Sequence, residues 1–251
     1  NPLADPYTTG VSSGAGFGAT LAITMGASVA SGSLSIVANA FIFALIPTMV
    51  IVSVSKMKNA SPTVLIMAGI AVMYIFNAMS TILKLWSDPE ALSALYRWQV
   101  GTLGGIGWDS VEIMLAFTTI GCIISMLLSR ELNLLSAGDE NARALGIDAE
   151  KMRILCFVVV ALMSASIVSF TGLIGFVGLV APHVVRLFIG ADNKYLIPAS
   201  AFFGAALLVV SDIIGRTALS PTILQVGVVT AFLGGPLFLW LIIRKDTKVW
   251  G

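Results

Sequence analysis

The feature that most constrains this chain is a recurrence of apolar runs, each about as long as a bilayer is thick. A helix needs roughly 17 to 25 apolar residues to cross the hydrocarbon core. Eight stretches meet or approach that length: Gly10–Ala30, Leu34–Val54, Thr63–Leu85, Val111–Leu128, Ile154–Phe170, Gly172–Ile189, Tyr195–Ser211 and Thr222–Ile243. Backbone in lipid must satisfy its own hydrogen bonds, so such runs fold as helices. The expected fold is an all-α polytopic membrane helix bundle with about eight transmembrane helices. Composition excludes the soluble alternative. Charged residues make up 11% of the 251, against roughly 25% in globular domains. That is too few to give a domain of this size a polar skin. A net charge of +1 offers no basic surface for nucleic acid.

Charge also orients the runs. With residue 1 on the cytoplasmic side and every stretch crossing, the inside loops hold Lys56, Lys58, Arg130, Arg143, Lys151, Arg153, Arg186, Lys194, Arg244, Lys245 and Lys248. Lys84, Arg97 and Arg216 remain outside. Eleven of the 14 basic residues are then inside, the asymmetry that positive-inside topology requires. This puts the C-terminus in the cytoplasm. The first stretch is the least hydrophobic, but it is rich in Gly, Ala and Ser, which let helix backbones approach closely.

Two connections are long. The outer one, Trp86 to Ser110, contains an amphipathic piece around Pro89–Trp98, and its Trp86, Trp98 and Trp108 fit an interfacial aromatic belt. The inner one, residues 129–153, is the one markedly polar segment. It predicts a helix over Gly138–Leu145 with Gly146 as C-cap, and a second short turn from Asp148. A compact, charged helical element on a membrane bundle has the character of a docking surface.

Catalytic chemistry has little support. His183 is the single histidine, which excludes multi-histidine metal sites, and it reads as a packing or interfacial residue near a helix end. The sequence lacks a G-x-x-x-x-G-K-[ST] loop, so this chain does not bind ATP in the P-loop manner. No cofactor or metal site is expected. Cys122 and Cys156 lie in apolar runs and read as buried, inert thiols. Ionisable groups inside a membrane mark function by default, yet Glu112 and Asp212 sit near span ends. This argues against a proton- or sodium-coupled transporter. Asp212 and Arg216, spaced i, i+4, either pair on one helix face or leave Arg216 to contact a partner protein.

The loop Gly138-Asp139-Glu140-Asn141-Ala142-Arg143-Ala144-Leu145-Gly146 resembles the cytoplasmic coupling loop of FecCD-type permeases, the iron-siderophore, heme and vitamin B12 importers of bacteria and archaea. Further similarities follow in family order. Asn1–Pro6 with Gly10–Ala15 resembles the N-P-L-A-x-P…G-x-x-x-G-A segment, and Trp98, Gly101, Gly107 and Trp108 resemble the outer-loop pattern. Gly172–His183 (GLIGFVGLVAPH) is the most specific string; Asp212–Arg216, Gly227–Thr230 and Gly234–Pro236 complete the set. Family members have ten spans, and this chain begins where their second ends. The expectation is a single transmembrane permease domain over residues 1–251, N-terminally truncated, with a coupling loop at 129–153.

The resemblance implies a homodimer of permeases in the cell membrane, driven by an ATP-binding ABC subunit and fed by an extracytoplasmic substrate-binding protein. It assigns ATPase coupling to Gly138, Asp139, Glu140, Ala142, Arg143, Leu145 and Gly146, and binding-protein docking to Arg216. It places a cytoplasmic gate at Asn1, Pro2, Leu3, Ser61, Pro62 and Thr63. Met67, Asn77 and Thr81 become wall residues of the translocation path. The implied cargo is a metal chelate, iron-siderophore first, with cobalamin or heme as the alternative. The rival from another class is a secondary transporter or channel without an ATPase.

Overall fold

The computed structural model describes residues 5, 9–56 and 62–243, and every regular element among them is helical. Eleven α-helices follow in order: α1 (Val11–Met25), α2 (Ser35–Lys56), α3 (Pro62–Leu85), α4 (Pro89–Val100), α5 (Trp108–Leu127), α6 (Ser129–Ser136), α7 (Asp139–Ala144), α8 (Ala149–Thr171), α9 (Val177–Ile189), α10 (Asn193–Thr217) and α11 (Val226–Ile243). Helices α2, α3, α5, α8 and α10 have the length and apolarity to cross a membrane. At 1.5 Å per residue, α2 with its 22 residues spans about 33 Å, enough for a hydrocarbon core of about 30 Å. Large apolar side chains such as Tyr74, Phe202 and Phe232 are exposed. Water would not tolerate such a surface, and lipid requires it.

The other three expected spans, α1, α9 and α11, are shorter than the apolar stretches that contain them. Glycine explains two of the truncations. Gly26, at φ 63°, stops α1 at Met25. The loop that follows is held by Asn39 inside α2. Its amide donates to Ala27 O at 2.8 Å and its carbonyl accepts from Val29 N at 3.0 Å. Gly172, at φ 70°, lies so close to the Trp98 carbonyl that a Cβ would be excluded. Residues 172–176 therefore do not continue α8 or begin α9. Irregular backbone of this kind is viable in a membrane protein where other protein covers it, and Gly172 is buried.

The chain divides into two compact units. In the first, residues through Phe117 together with Phe157–Ile174, α1 packs antiparallel on α2 through glycines spaced four apart. Gly10 meets Pro47, Gly14 meets Phe43 and Pro47, and Gly18 meets Asn39 and Ala40. This is small-residue packing with backbone against backbone. Val11, Ala15, Ala19, Ala40 and Ala44 form its core with Ala161 and Ala165 of α8, and Trp98 packs against them. Trp98 is thus partly buried against this core, whereas Trp86 and Trp108 are exposed. The other side of α1 carries Phe17, which packs with Val72 and Phe76 of α3.

In the second unit, Thr118–Cys156 with Gly175 onward, α9, α10 and α11 pack against one another. A Cβ at Gly204 of α10 would rest 3.4 Å from Val177. His183 is buried, its Nδ1 lies 2.7 Å from Leu179 O, and its ring meets Phe238 edge-on. That is a packing residue. Phe176 adopts φ 68°, unusual for a bulky residue, and its ring lies where Gly234 of α11 leaves room.

Candidate functional site

Two groupings of polar residues stand out, one in each unit. The first is a cleft of about 390 Å³ lined by Ser12, Ser13 and Gly16 of α1, Met73, Asn77, Ser80, Thr81 and Lys84 of α3, Gln99 of α4, and Leu173. The spacing of Asn77, Ser80, Thr81 and Lys84 is i, i+3, i+4, i+7, which puts all four on one stripe of α3. Lys84 Nζ lies 3.5 Å from Gln99 Oε1, at the limit of a hydrogen bond. The hydroxyls of Ser13 and Thr81 are already committed, to Gly10 O and Asn77 O at 2.8 Å each. Of the expected wall residues, Asn77 and Thr81 thus come together. Met67 does not join them: it is 64% exposed, on the opposite side of α3 from Leu65 and Phe76.

The second grouping is the segment between α5 and α8. Helix α7 ends in a Schellman motif: Gly146 N donates to Arg143 O and Ile147 N to Ala142 O, with Gly146 at φ 82°. This is the glycine-terminated end expected from the sequence. Asp148 does not start a separate turn. Its carboxylate accepts from Lys151 N and opens α8. Helix α6 was not foreseen.

The segment is fastened at two points. Arg153 of α8 donates to Asp139. Asn133 of α6 donates to the Asp192 carboxylate at 2.8 Å and accepts from Asn193 N at 2.9 Å, which ties α6 to the start of α10. Electrostatics follow these bonds. The Arg153 hydrogen bond holds the Asp139 carboxyl below the usual carboxylate range. Asn133 does the same for Asp192, and Lys151 for Asp148.

Within α7, Ala142 is completely buried, so its methyl faces its own loop rather than a partner. Glu140, Arg143, Leu145, Gly138 and Gly146 form the exposed surface, with Leu145 at 65% exposure. Cβ atoms at Gly138 and Gly146 would meet open space, so backbone conformation (φ 108° and 82°) accounts for these glycines, not close packing.

Arg216 pairs with Asp212 through Nε at 2.7 Å, as the i, i+4 spacing allows, and remains half exposed. Among the gate residues, Asn1, Pro2, Leu3 and Ser61 lie outside the described residues. Pro62 begins α3 and Thr63 is exposed.

Sequence reasoning missed Ser12, Ser80, Lys84 and Gln99 in the cleft, and Asn133, Arg153 and Asp192 as the fastenings. The polar stripe on α3 was a usable signal. The fastenings join residues up to 60 positions apart, and no local pattern reveals such pairs.

The arrangement of spans and loop has a counterpart among known proteins. The family model described as the FecCD transport family matches residues 1–244. The chain belongs to the FecCD transport family. Among its FecCD relatives, a cobalamin import system permease of Halobacterium salinarum is 39% identical over 99% of this chain and 66% of its own length. A hemin transport system permease of Yersinia pestis is 37% identical over 98% of this chain and 74% of its own length. The chain thus spans about two thirds to three quarters of these relatives. A solved structure of an ABC transporter assigned to the metal-chelate type, in an inward-facing conformation, superimposes with a TM-score of 0.89. It is 30% identical and covers 98% of this chain and 77% of that one. FecCD membership and the long apolar helices make this a multi-pass membrane protein.

Proposed function

We propose that this chain is the permease subunit of an ATP-driven importer that brings metal chelates into the cell, iron-siderophore complexes first. Two permeases pair in the cell membrane on two ATPase subunits and receive cargo from an extracytoplasmic binding protein. The observation that carries this reading is the α6–α7 element: short, polar, closed by a Schellman turn and fastened to α8 and α10 by Arg153 and Asn133. A segment anchored in this way moves as a rigid body. A partner that pushes on Leu145, Glu140 and Arg143 therefore displaces spans rather than deforming a loop. Ala142 acts here as the anchor of that element. Asp139 positions it through Arg153, and Gly138 and Gly146 give it its bends. Arg216, half exposed beside Asp212, presents the rest of its guanidinium to a carboxylate on the binding protein.

The relatives named for cobalamin and hemin support a second cargo reading, in which the same mechanism carries a corrinoid or heme. The test is reconstitution of the full-length permease with its ATPase and binding protein in proteoliposomes. Uptake of ⁵⁵Fe-siderophore, cobalamin and heme is measured with ATP, without ATP, and with ATPase omitted. The reading requires uptake that depends on both. Uptake without the ATPase would instead identify a secondary transporter or channel.

A further inference from the structure

We propose that the cleft between α1, α3 and α4 is an anion subsite, which receives a carboxylate or phosphate group carried by the transported chelate. The inference rests on the chelate-permease reading and adds the chemistry by which this chain meets its cargo. Lys84 is the one ionisable residue in the cleft wall. Among the described residues no carboxylate lies within ion-pair distance of it, and its single contact is the long one to Gln99. A cation that only snorkels to an interface needs no further donors around it. Here donors converge. The Asn77 amide and the Ser80 hydroxyl have no hydrogen-bond partner among the described residues and line the same space as Lys84.

Ser12 also belongs to the cleft wall, and its hydroxyl, 2% exposed as a residue, has no hydrogen-bond partner among the described residues. Cation, amide and hydroxyl donors without a counter-anion match an oxyanion, which accepts several charge-assisted bonds at once. The volume, about 390 Å³, lies near the small end of ligand pockets, so the cleft holds an arm of a chelate rather than the whole molecule.

The test uses the complete transporter in nanodiscs of phosphatidylcholine. Two probes are bound at equilibrium: iron(III) citrate, which carries carboxylates, and ferrioxamine B, a cationic chelate. Lys84→Gln should lower the ratio of citrate to ferrioxamine affinity about tenfold, the loss of roughly one charge-assisted bond. Lys84→Arg should keep the ratio within about threefold, and Asn77→Ala should lower it in the same direction as Lys84→Gln. An unchanged ratio in Lys84→Gln, equal losses for both probes, or no citrate binding by the wild type would each overturn the subsite. A parallel set of nanodiscs contains phosphatidylglycerol. If the Lys84→Gln effect appears only there, the occupant is a lipid phosphate and the cargo assignment is wrong. ATP-driven uptake of both probes is measured separately. Its absence in the wild type refutes the import reading, while the affinity ratio still decides the subsite.

Discussion

One added methyl group at Gly18 probes the close backbone contact between α1 and α2 in the first unit. An ideal Cβ there would lie 2.7 Å from the Asn39 carbonyl carbon and 3.0 Å from Ala40 N, whereas ordinary contact begins at 3.4 Å. These atoms are backbone and cannot rotate away, and the Asn39 carbonyl oxygen would lie nearer still, so α1 and α2 must part by about 1 Å. A gap of about 0.5–1 Å forfeits a quarter to a half of the dispersion attraction. The loss falls on Val11, Ala15, Ala19, Ala40 and Ala44, all at 2% exposure or less. Gly18→Ala should therefore destabilise by about 1–3 kcal/mol, the usual range for an overpacked core. Gly14→Ala faces Phe43 in the same way and should behave alike. The double variant should lose less than the two single losses together, because helices already parted accommodate the second methyl.

Gly16 is the internal control. A Cβ there meets nothing within 4 Å, so Gly16→Ala should be neutral or stabilising by up to about 1 kcal/mol through helix propensity. Equilibrium unfolding in mixed micelles, followed by tryptophan fluorescence, measures all four proteins. If Gly14→Ala and Gly18→Ala unfold together with Gly16→Ala, the close-packed interface is wrong.

Three further outcomes are expected. Leu145→Asp should remove the ATPase on copurification while the permease keeps its thermal stability, whereas Ala142→Leu should lower stability by about 1–3 kcal/mol through overpacking; the reverse pattern would exchange the anchor and the contact. Arg216→Glu should weaken binding-protein affinity more than Arg216→Ala does, and unchanged affinity would reduce Arg216 to its pair with Asp212. The carboxyls of Asp139 and Asp192 are held below their ordinary value of about 3.9, so their contribution is present above that value and is lost as pH falls through the lower folded one. Amide protection factors across residues 138–147 should thus be level from pH 7 to about 5 and decline only below about 4. A decline centred near pH 6 would contradict the assignment.

The sequence made the spans legible because lipid imposes length and apolarity on every crossing helix. It did not reveal where three of them stop. The string Gly172–Phe176 is as apolar as a helix, yet it is broken by close approach of the Trp98 carbonyl, 74 positions earlier in the chain. Asn77 and Thr81 could be picked out as polar residues in an apolar run. Their neighbours in the cleft required knowing that α1 and α4 face α3. The end of α7 was readable at Gly146, since a C′ glycine is a local signal. The burial of Ala142 was not, since a small residue suits a buried anchor and an exposed seat equally well.

The glycine face of α1 also bears on how this protein enters the membrane. Helix α1 has 15 residues and would span about 22 Å by itself, short of the hydrocarbon core. Its serines and glycines give it little affinity for lipid. What holds it is α2, together with Asn39, which satisfies the backbone of the hairpin loop. During synthesis α1 emerges before α2, yet it has no stable place in the bilayer until α2 has followed. The two therefore integrate as one antiparallel hairpin, and the step that commits α1 is the release of residues near Asn39 and Pro47. A substitution that spoils the glycine face then acts twice, on the finished fold and on the yield of correctly inserted chains.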